Sequence, residues 1–169
     1  AYSVKVKNIE VTWGKAVDPD VIANELENDP SFKAVFVQAS ETSTGVAHPI
    51  KELCDIVKRY DNTIIVVDAI SAVGSEYVNI KNDNIDFCTG VPNKSISGLP
   101  GVSFVCVKRE IIDEISSIRP RNVYLDLIKH LKMADEINQT PNTPSVYMML
   151  ALNEALKELF EEGLENRIK

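Results

Sequence analysis

Two short apolar runs in the first half of the chain restrict its fold more than any other feature. Residues 34–37 (Ala-Val-Phe-Val) and 63–67 (Thr-Ile-Ile-Val-Val) are β-prone and lack the polar/apolar alternation of a strand with one solvated face. Strands of this kind, separated by amphipathic helices, are typical of a parallel sheet that helices cover on both sides. The sequence therefore predicts an α/β fold with a mainly parallel sheet in a three-layer αβα arrangement.

Helix signals flank the two runs. Asp18 places a capping carboxylate before Pro19, and this pair predicts a helix that runs to about Glu27. Pro49 opens a second helix, which we expect to end at Tyr60. The remaining pattern predicts an opening strand over residues 4–11 that ends near Trp13-Gly14, strands at 87–88 and 102–107, and helices at 110–118, 125–137 and 145–162, with Gly163 ending or kinking the last one.

The bulk properties exclude several classes of function. The net charge of −7 and the lack of a Lys/Arg cluster argue against a nucleic-acid partner, because nothing is present to displace counterions from phosphates. No apolar run approaches the ~20 residues needed to cross a bilayer, so we expect no membrane partner. Cys54, Cys88 and Cys106 are spaced neither as a disulfide framework nor as a zinc site. We interpret them as reduced thiols in or near the core of a cytoplasmic protein without a metal centre.

Polar segments follow both apolar runs, where the strands end. Residues 41–45 (Glu-Thr-Ser-Thr-Gly) offer three hydroxyls and a glycine, and Asp68 is a single carboxylate directly after the second run. In a parallel sheet, side chains at strand ends gather over one crevice, which favours a ligand site. Each segment also has an ordinary explanation, since residues 41–45 can form a simple turn and Asp68 can cap the turn that follows it.

A third segment, residues 89–101, carries one lysine in a loop rich in proline, glycine and small residues. A lysine held in a partly desolvated loop between two apolar strands, as we expect for Lys94, can act as an amine nucleophile. A solvated loop lysine is the ordinary alternative. A phosphate-binding P-loop is excluded by spacing, because that motif needs a glycine directly before the lysine, where this chain has Asn93.

Taken in order, these segments resemble the signature segments of the class V aminotransferases, a family that uses pyridoxal phosphate. The resemblance spans nearly the whole chain. Within the family, the Asn-Lys pair is most similar to that of 2-aminoethylphosphonate:pyruvate transaminases, whereas the cysteine desulfurase branch carries His before the lysine. The matching segments are residues 41–45, residues 67–74 (Val-Asp-Ala-Ile-Ser-Ala-Val-Gly), Asn93-Lys94 with Gly-Leu-Pro-Gly at 98–101, Trp13-Gly14, and residues 140–146 leading into a long helix that reaches residues 161–167 (Glu-Glu-Gly-Leu-Glu-Asn-Arg).

The resemblance implies roles for five of these residues. Lys94 would hold pyridoxal phosphate as a Schiff base and then move the proton between substrate and cofactor, and Asp68 would keep the ring nitrogen protonated. Thr42 is similar to the family residue that hydrogen-bonds near the ring oxygen. Ile70 resembles the residue packed against one ring face, and Asn93 resembles a phosphate contact beside the lysine.

The resemblance also implies a homodimer with shared active sites. Thr143, and with it Thr140, resemble residues that the family lends to the phosphate site of the neighbouring subunit. The same segment has an explanation without a ligand, in which Thr143 is the N-cap of a helix with Pro144 at its first position.

The implied activity is the transfer of an amino group from a small amino donor to a 2-oxo acid such as pyruvate or glyoxylate. The donors to be expected are 2-aminoethylphosphonate, alanine or serine. The implied fold is that of an aspartate aminotransferase-like (fold type I) large domain, of which residues 1–169 would form a part, without the N-terminal phosphate-binding turn and the C-terminal small domain. We therefore expect the isolated chain to be inactive. The alternative is a family-derived binding or dimerisation module without chemistry.

Overall fold

The helices and strands alternate through the first half of the chain, and helices dominate the second. A computed structural model describes residues 4–169. In chain order the elements are α1 (Pro19–Asn28), β1 (Ala34–Gln38), β2 (Ser40–Glu41), β3 (Val46–Ala47), α2 (Ile50–Val57), β4 (Ile64–Asp68), β5 (Phe87–Gly90), β6 (Phe104–Val107), a 3-10 turn at Arg109–Ile111, α3 (Ile112–Ser116), α4 (Leu127–Ile137), α5 (Val146–Glu162) and α6 (Leu164–Ile168).

The central sheet has the strand order β1-β4-β5-β6. Strands β1, β4 and β5 are parallel, and β6 runs antiparallel to β5. A separate antiparallel pair, β2 and β3, lies between β1 and α2 in the sequence. The predicted αβα fold with a mainly parallel sheet is confirmed, and the antiparallel β6 is a feature that the sequence pattern did not specify.

The first helix begins where the sequence places it. Asp18 accepts a hydrogen bond from the amide of Asp20 at 3.0 Å, and Pro19 occupies the first turn, where its missing N–H leaves no hydrogen bond unmade. Ile22 and Leu26, four residues apart and therefore on one face, are 7 % and 2 % exposed. This face packs against α2, so the cap and the apolar spacing together fix how α1 docks.

One face of the sheet forms the core with α1 and α2. Ile65 and Val67 of β4 are fully buried, and Leu53, Cys54 and Val57 of α2 belong to the same cluster. Burial of each large aliphatic side chain contributes about 1.5–3 kcal/mol. This cluster is therefore what holds β4, and with it the end of the strand that carries Asp68, in a fixed position.

The opposite sheet face is more open. Side chains alternate between faces along a strand, so Phe36 and Asp68 project away from the core that contains Ile65 and Val67. Phe36 is 67 % exposed. The carboxylate at the end of β4 thus rises on the side that α1 and α2 do not cover.

The predicted opening strand over residues 4–11 is wrong. No strand is assigned in this stretch, and Val4 and Val6 are exposed. The turn expected at Trp13-Gly14 is present, with the Lys15 amide donating to the Thr12 carbonyl at 3.0 Å. A strand exists only where a neighbouring strand supplies hydrogen bonds, and within residues 4–169 this stretch has no such neighbour.

The cysteine prediction holds for two of the three residues. Cys54 and Cys88 are buried free thiols in the core cluster. Cys106, expected in or near the core, is exposed, because it lies on β6 at the outer edge of the sheet.

The sequence predicted that Gly163 either ends or kinks the last long helix, and in the structure α5 ends there, with Gly163 as its C-cap. Gly163 has a φ of +85°, which an α-helix cannot accommodate, and the short helix α6 starts directly after it. The N-cap proposed at Thr143 is wrong, because α5 begins at Val146 and Ser145 occupies the cap position without a side-chain hydrogen bond.

Candidate active site

The carboxyl ends of three parallel strands lie side by side. Gln38, Asp68 and Thr89 are direct neighbours across β1, β4 and β5, so their side chains share one face of the sheet. Two backbone hydrogen bonds continue the pairing past the strand ends, from the Ala39 amide to the Asp68 carbonyl at 2.8 Å and from the Ala69 amide to the Thr89 carbonyl at 3.0 Å. The sheet thus places Asp68 at the centre of this edge.

Asp68 uses only one of its carboxylate oxygens within the described chain. Its Oδ1 accepts a hydrogen bond from the amide of Ile70 at 2.9 Å, which is the turn-capping contact anticipated as the ordinary explanation. Its Oδ2 has no partner among residues 4–169, and the side chain is half-buried. The capping contact fixes the orientation of the carboxylate, and the second oxygen remains able to accept a proton or an N–H.

The segment after β1 is joined to the segment after β4 by two hydroxyl groups. The Oγ1 of Thr42 lies 2.5 Å from the Oγ of Ser71. Glu41 orders the same loop, since its carboxylate accepts hydrogen bonds from both the amide and the hydroxyl of Ser43, and these bonds hold the pKa of Glu41 below its usual range. Sequence reasoning named Thr42 but missed Ser71, whose place in a small-residue run was its only signal.

Lys94 lies in the loop between β5 and β6, and the loop is folded on itself. The amide of Ser97 donates to the Lys94 carbonyl and the amide of Gly98 donates to the Pro92 carbonyl, both at 2.8 Å. Pro92 and Ile96 are buried, and this leaves Lys94 pointing outward. The loop is therefore anchored by the two apolar side chains, and the Lys94 side chain is exposed on its outer surface.

The expected partial desolvation of Lys94 is not observed. Both Lys94 and Asn93 are exposed, because the buried side chains on either side of them take the inward positions of the loop. The ammonium forms no ion pair within the described chain. The loop does lie beside the segment that follows Asp68, since Gly74 packs directly against the backbone of Ser95 and Ile96.

This arrangement has the form of an α/β ligand site, with polar groups gathered where parallel strands end. The whole of residues 1–169 matches the family model described as aminotransferase class-V.

The chain belongs to the class-V aminotransferase family.

Two relatives and one solved structure show the extent of the similarity. An uncharacterized aminotransferase of Methanocaldococcus jannaschii is 38 % identical over 170 residues, which cover 100 % of this chain and 44 % of the relative. A 2-aminoethylphosphonate–pyruvate transaminase of Klebsiella pneumoniae is 38 % identical over 153 residues, or 89 % of this chain and 41 % of that protein. The crystal structure of a pyridoxamine-pyruvate aminotransferase from Mesorhizobium loti matches with a TM-score of 0.88 at 26 % identity, over 95 % of this chain and 41 % of that structure. The chain spans less than half the length of these relatives.

Membership of the class-V aminotransferase family implies pyridoxal phosphate as cofactor. The side chains at the strand ends fit that group. Asp68 offers an oriented carboxylate oxygen for a ring N–H, and Lys94 presents an exposed primary amine from the adjacent loop. These are the two kinds of group that such a cofactor requires from a protein.

The two threonines that the resemblance assigns to the neighbouring subunit make no hydrogen bond to this edge within residues 4–169. Thr140 and Thr143 are exposed in the connection between α4 and α5. Thr140 donates its hydroxyl to the carbonyl of Asn142 at 2.7 Å, and within residues 4–169 neither threonine hydrogen-bonds to the strand-end segments. The structure therefore brings together Thr42, Asp68, Ile70 and the lysine loop, but not these two threonines.

The part of the chain that the structure describes contains no helix with both the length and the apolar character needed to cross a bilayer. The same residues include no group of three or more His, Cys, Asp or Glu side chains arranged to hold a metal ion.

Proposed function

We propose that this chain is the cofactor-binding portion of a pyridoxal-phosphate-dependent aminotransferase, with Lys94 and Asp68 as its catalytic residues. The observation that carries the proposal is the position of Asp68: it sits at the end of β4, is oriented by the Ile70 amide, and keeps one oxygen without a partner in the described chain. The packing of Gly74 on Ser95 supports it, because the lysine loop then lies against the segment that follows this carboxylate.

Asp68 would hold a proton on the ring nitrogen of the cofactor, because a carboxylate stabilises the protonated ring by charge and hydrogen bonding. Lys94 would be the covalent attachment point and, once released, the base that accepts the proton leaving the substrate carbon. The cofactor, when bound, supplies the electron-withdrawing ring that stabilises negative charge on that carbon. Losing either side chain should therefore impair chemistry more than folding.

The remaining candidate residues would bind and orient. Thr42 would hydrogen-bond near the ring oxygen, and its contact with Ser71 would direct that hydroxyl. Ile70 would pack against a ring face and Asn93 would contact the phosphate. Thr143 and Thr140 would reach the phosphate bound by a second subunit. This role is compatible with their exposure, and it makes the enzyme a homodimer.

For the substrates we propose a small amino donor, namely 2-aminoethylphosphonate, alanine or serine, and a 2-oxo acid acceptor such as pyruvate or glyoxylate. Support comes from the similarity to the Klebsiella pneumoniae protein named 2-aminoethylphosphonate–pyruvate transaminase. The chain spans only 41 % of that relative. We therefore propose that residues 1–169 form part of the large domain of the enzyme and are inactive in isolation. We also propose that the enzyme is cytoplasmic.

The test uses the complete protein with added pyridoxal phosphate. We expect visible absorbance that borohydride makes permanent, with the reduced cofactor found on Lys94 by peptide mass spectrometry. Lys94→Ala should abolish the attachment. The matched control is Lys81→Ala, which removes another exposed loop lysine outside the proposed site and should change nothing. Active preparations would then be assayed with each amino donor.

The opposing result is equally clear. If the complete protein develops no such absorbance, or if reduction labels other lysines as readily as Lys94, the transaminase proposal fails. The chain would then be a family-derived binding or dimerisation module, the second candidate function. An Asp68→Asn variant that transaminates at the wild-type rate would remove the role given to the carboxylate.

A further inference from the structure

Helix α6 reaches back to the lysine loop through a single side chain. The Nη1 of Arg167 donates a hydrogen bond to the main-chain carbonyl of Ser95 at 3.0 Å, across a separation of 72 residues. The Arg167 side chain is only 21 % exposed. Ser95 directly follows Lys94, and its carbonyl belongs to the Ser95–Ile96 peptide, so the contact lies one residue beyond the proposed catalytic lysine.

Glu162 holds the guanidinium in place. Its Oε2 accepts a hydrogen bond from the Nε of Arg167 at 2.8 Å and a second from Nη2. The pairing lowers the pKa of Glu162 and raises that of Arg167, so both groups are charged at neutral pH. Residues five apart are not on one face of a continuous helix, and the break at Gly163 is what lets Arg167 turn toward Glu162.

The contact adds a third hydrogen bond to the two that fold the loop on itself. The carbonyls of Lys94 and Pro92 are already occupied by the amides of Ser97 and Gly98. Within residues 4–169, the Ser95 carbonyl accepts a hydrogen bond only from Arg167. A forked, planar donor that is itself held by a carboxylate restricts direction more than a lone flexible cation would.

We propose that Arg167 is a positioning residue for Lys94: by holding the carbonyl of the Ser95–Ile96 peptide, it restrains the loop backbone one residue beyond the lysine and therefore the direction in which the amine is presented. The catalytic consequence of this role rests on the function proposed above for Lys94. The hold on the loop is a property of the chain itself, and it can be measured without the cofactor.

The first measurement is amide hydrogen exchange on the complete protein and on Arg167→Met. We expect exchange at Ser97 and Gly98 to accelerate about tenfold or more, the size expected when one hydrogen bond from a charged donor is lost. Amides of the core strand β4 should keep their wild-type rates. Arg167→Lys should restore part of the protection, because an ammonium can still reach the carbonyl but cannot bridge it to Glu162 in the same way.

The second measurement reports on Lys94 directly. It is a pH titration of the visible absorbance of the cofactor-loaded protein, which gives the pH midpoint of the group attached to Lys94. Arg167→Met should shift this pH midpoint and lower kcat more than it raises KM. A general loss of stability would instead reduce the amount of folded protein, and the molecules that stay folded would keep the wild-type pH midpoint. The matched control is Arg109→Met. It removes an arginine that is also paired with a carboxylate, that of Asp135, but that follows β6, makes no hydrogen bond to the lysine loop within residues 4–169 and has a side chain that is 76 % exposed.

The outcomes separate cleanly. Unchanged exchange at Ser97 and Gly98 in Arg167→Met, or equal acceleration in β4, overturns the positioning role. Faster exchange confined to the loop together with an unchanged midpoint and kcat also overturns it, since the lysine is then indifferent to the contact. If the wild-type protein shows no cofactor absorbance at all, the proposed function fails, and the exchange comparison alone decides whether Arg167 holds the loop.

Discussion

Gly74 lies so close to Ser95 that a Cβ built on the glycine would stand 3.1 Å from the Ser95 carbonyl carbon. The neighbouring atoms are main-chain atoms, which cannot move aside as a flexible side chain can. The φ of Gly74 is +95°, a conformation that other residues adopt only with strain. The segment after Asp68 and the lysine loop therefore meet backbone to backbone, and glycine is the residue that permits it.

Replacing Gly74 with alanine should thus destabilise the protein. We expect Gly74→Ala to lower the free energy of unfolding by roughly 1–3 kcal/mol through strain, plus a further loss from displacement of the lysine loop. Urea denaturation measures the change. Gly14→Ala is the control, because Gly14 has a similar φ of +75° but nothing within 4 Å of its Cβ position. Equal losses in the two variants would mean that the contact with Ser95 contributes nothing.

A buried carboxylate outside the site gives a second prediction. Asp86 is 1 % exposed, accepts a hydrogen bond from the Ile65 amide at 2.8 Å and pairs with Lys58. Asp86→Ala leaves a core amide and an ammonium without a partner, so we expect a loss of about 3–5 kcal/mol in unfolding free energy. In Asp55→Ala, which breaks an ion pair of two exposed residues, the loss should stay within about 1 kcal/mol. A small effect at Asp86 would show that water satisfies both groups.

The core thiols should resist alkylation. Burial raises the pKa of Cys54 to about 12 and that of Cys88 to about 11, so both stay protonated and unreactive at neutral pH. We expect iodoacetamide at pH 8 to spare both until the chain unfolds, as read by mass spectrometry. Because the folded-state pKa values are raised, the associated stability is full below the ordinary thiol value of 9.0 and is lost as pH rises toward 11–12. Rapid native labelling of Cys54 would contradict the described packing.

The hydroxyl pair of Thr42 and Ser71 should be energetically coupled. We expect a double-mutant cycle of Thr42→Val and Ser71→Ala to give a coupling of about 0.5–1 kcal/mol in unfolding free energy, the usual net value of a neutral hydrogen bond. Additive losses would show that the two loops are joined by packing alone. In the cofactor-loaded protein the same cycle would report whether Ser71 directs Thr42.

Local signals were sufficient to predict α1, β1, α2 and β4. The capping carboxylate at Asp18, the proline that opens α2 and the unbroken apolar runs of β1 and β4 each depend on neighbours in sequence, and each of these elements is present, although α2 ends at Val57 and not at Tyr60 as expected. The predictions of a buried Cys106 and of a strand around Val4 were wrong for the opposite reason. Their burial depends on which strand or helix lies beside them, and the composition of a segment does not carry that information.

The candidate site divides in the same way. Asp68 could be located from sequence because a charge directly after an apolar strand must face a crevice or a partner. The exposure of Lys94 could not, since it depends on which loop residues turn inward. The contact of Arg167 with Ser95 was equally hidden, although Arg167 lies in a segment that matches the family, because a contact across 72 residues leaves no periodic trace in the sequence.

The antiparallel return of β6 has a consequence for how the chemistry of this scaffold can change. Gly90 and Phe104 are paired across β5 and β6, so the lysine loop leaves the sheet and re-enters it at adjacent positions, and the Phe104 ring fills the space where Gly90 lacks a side chain. The sheet therefore fixes both ends of the loop, and the buried Pro92 and Ile96 fix its path between them. Exposed loop positions, Asn93 and Lys94 among them, can change while every strand keeps its register, so the reactive groups can vary without loss of the fold.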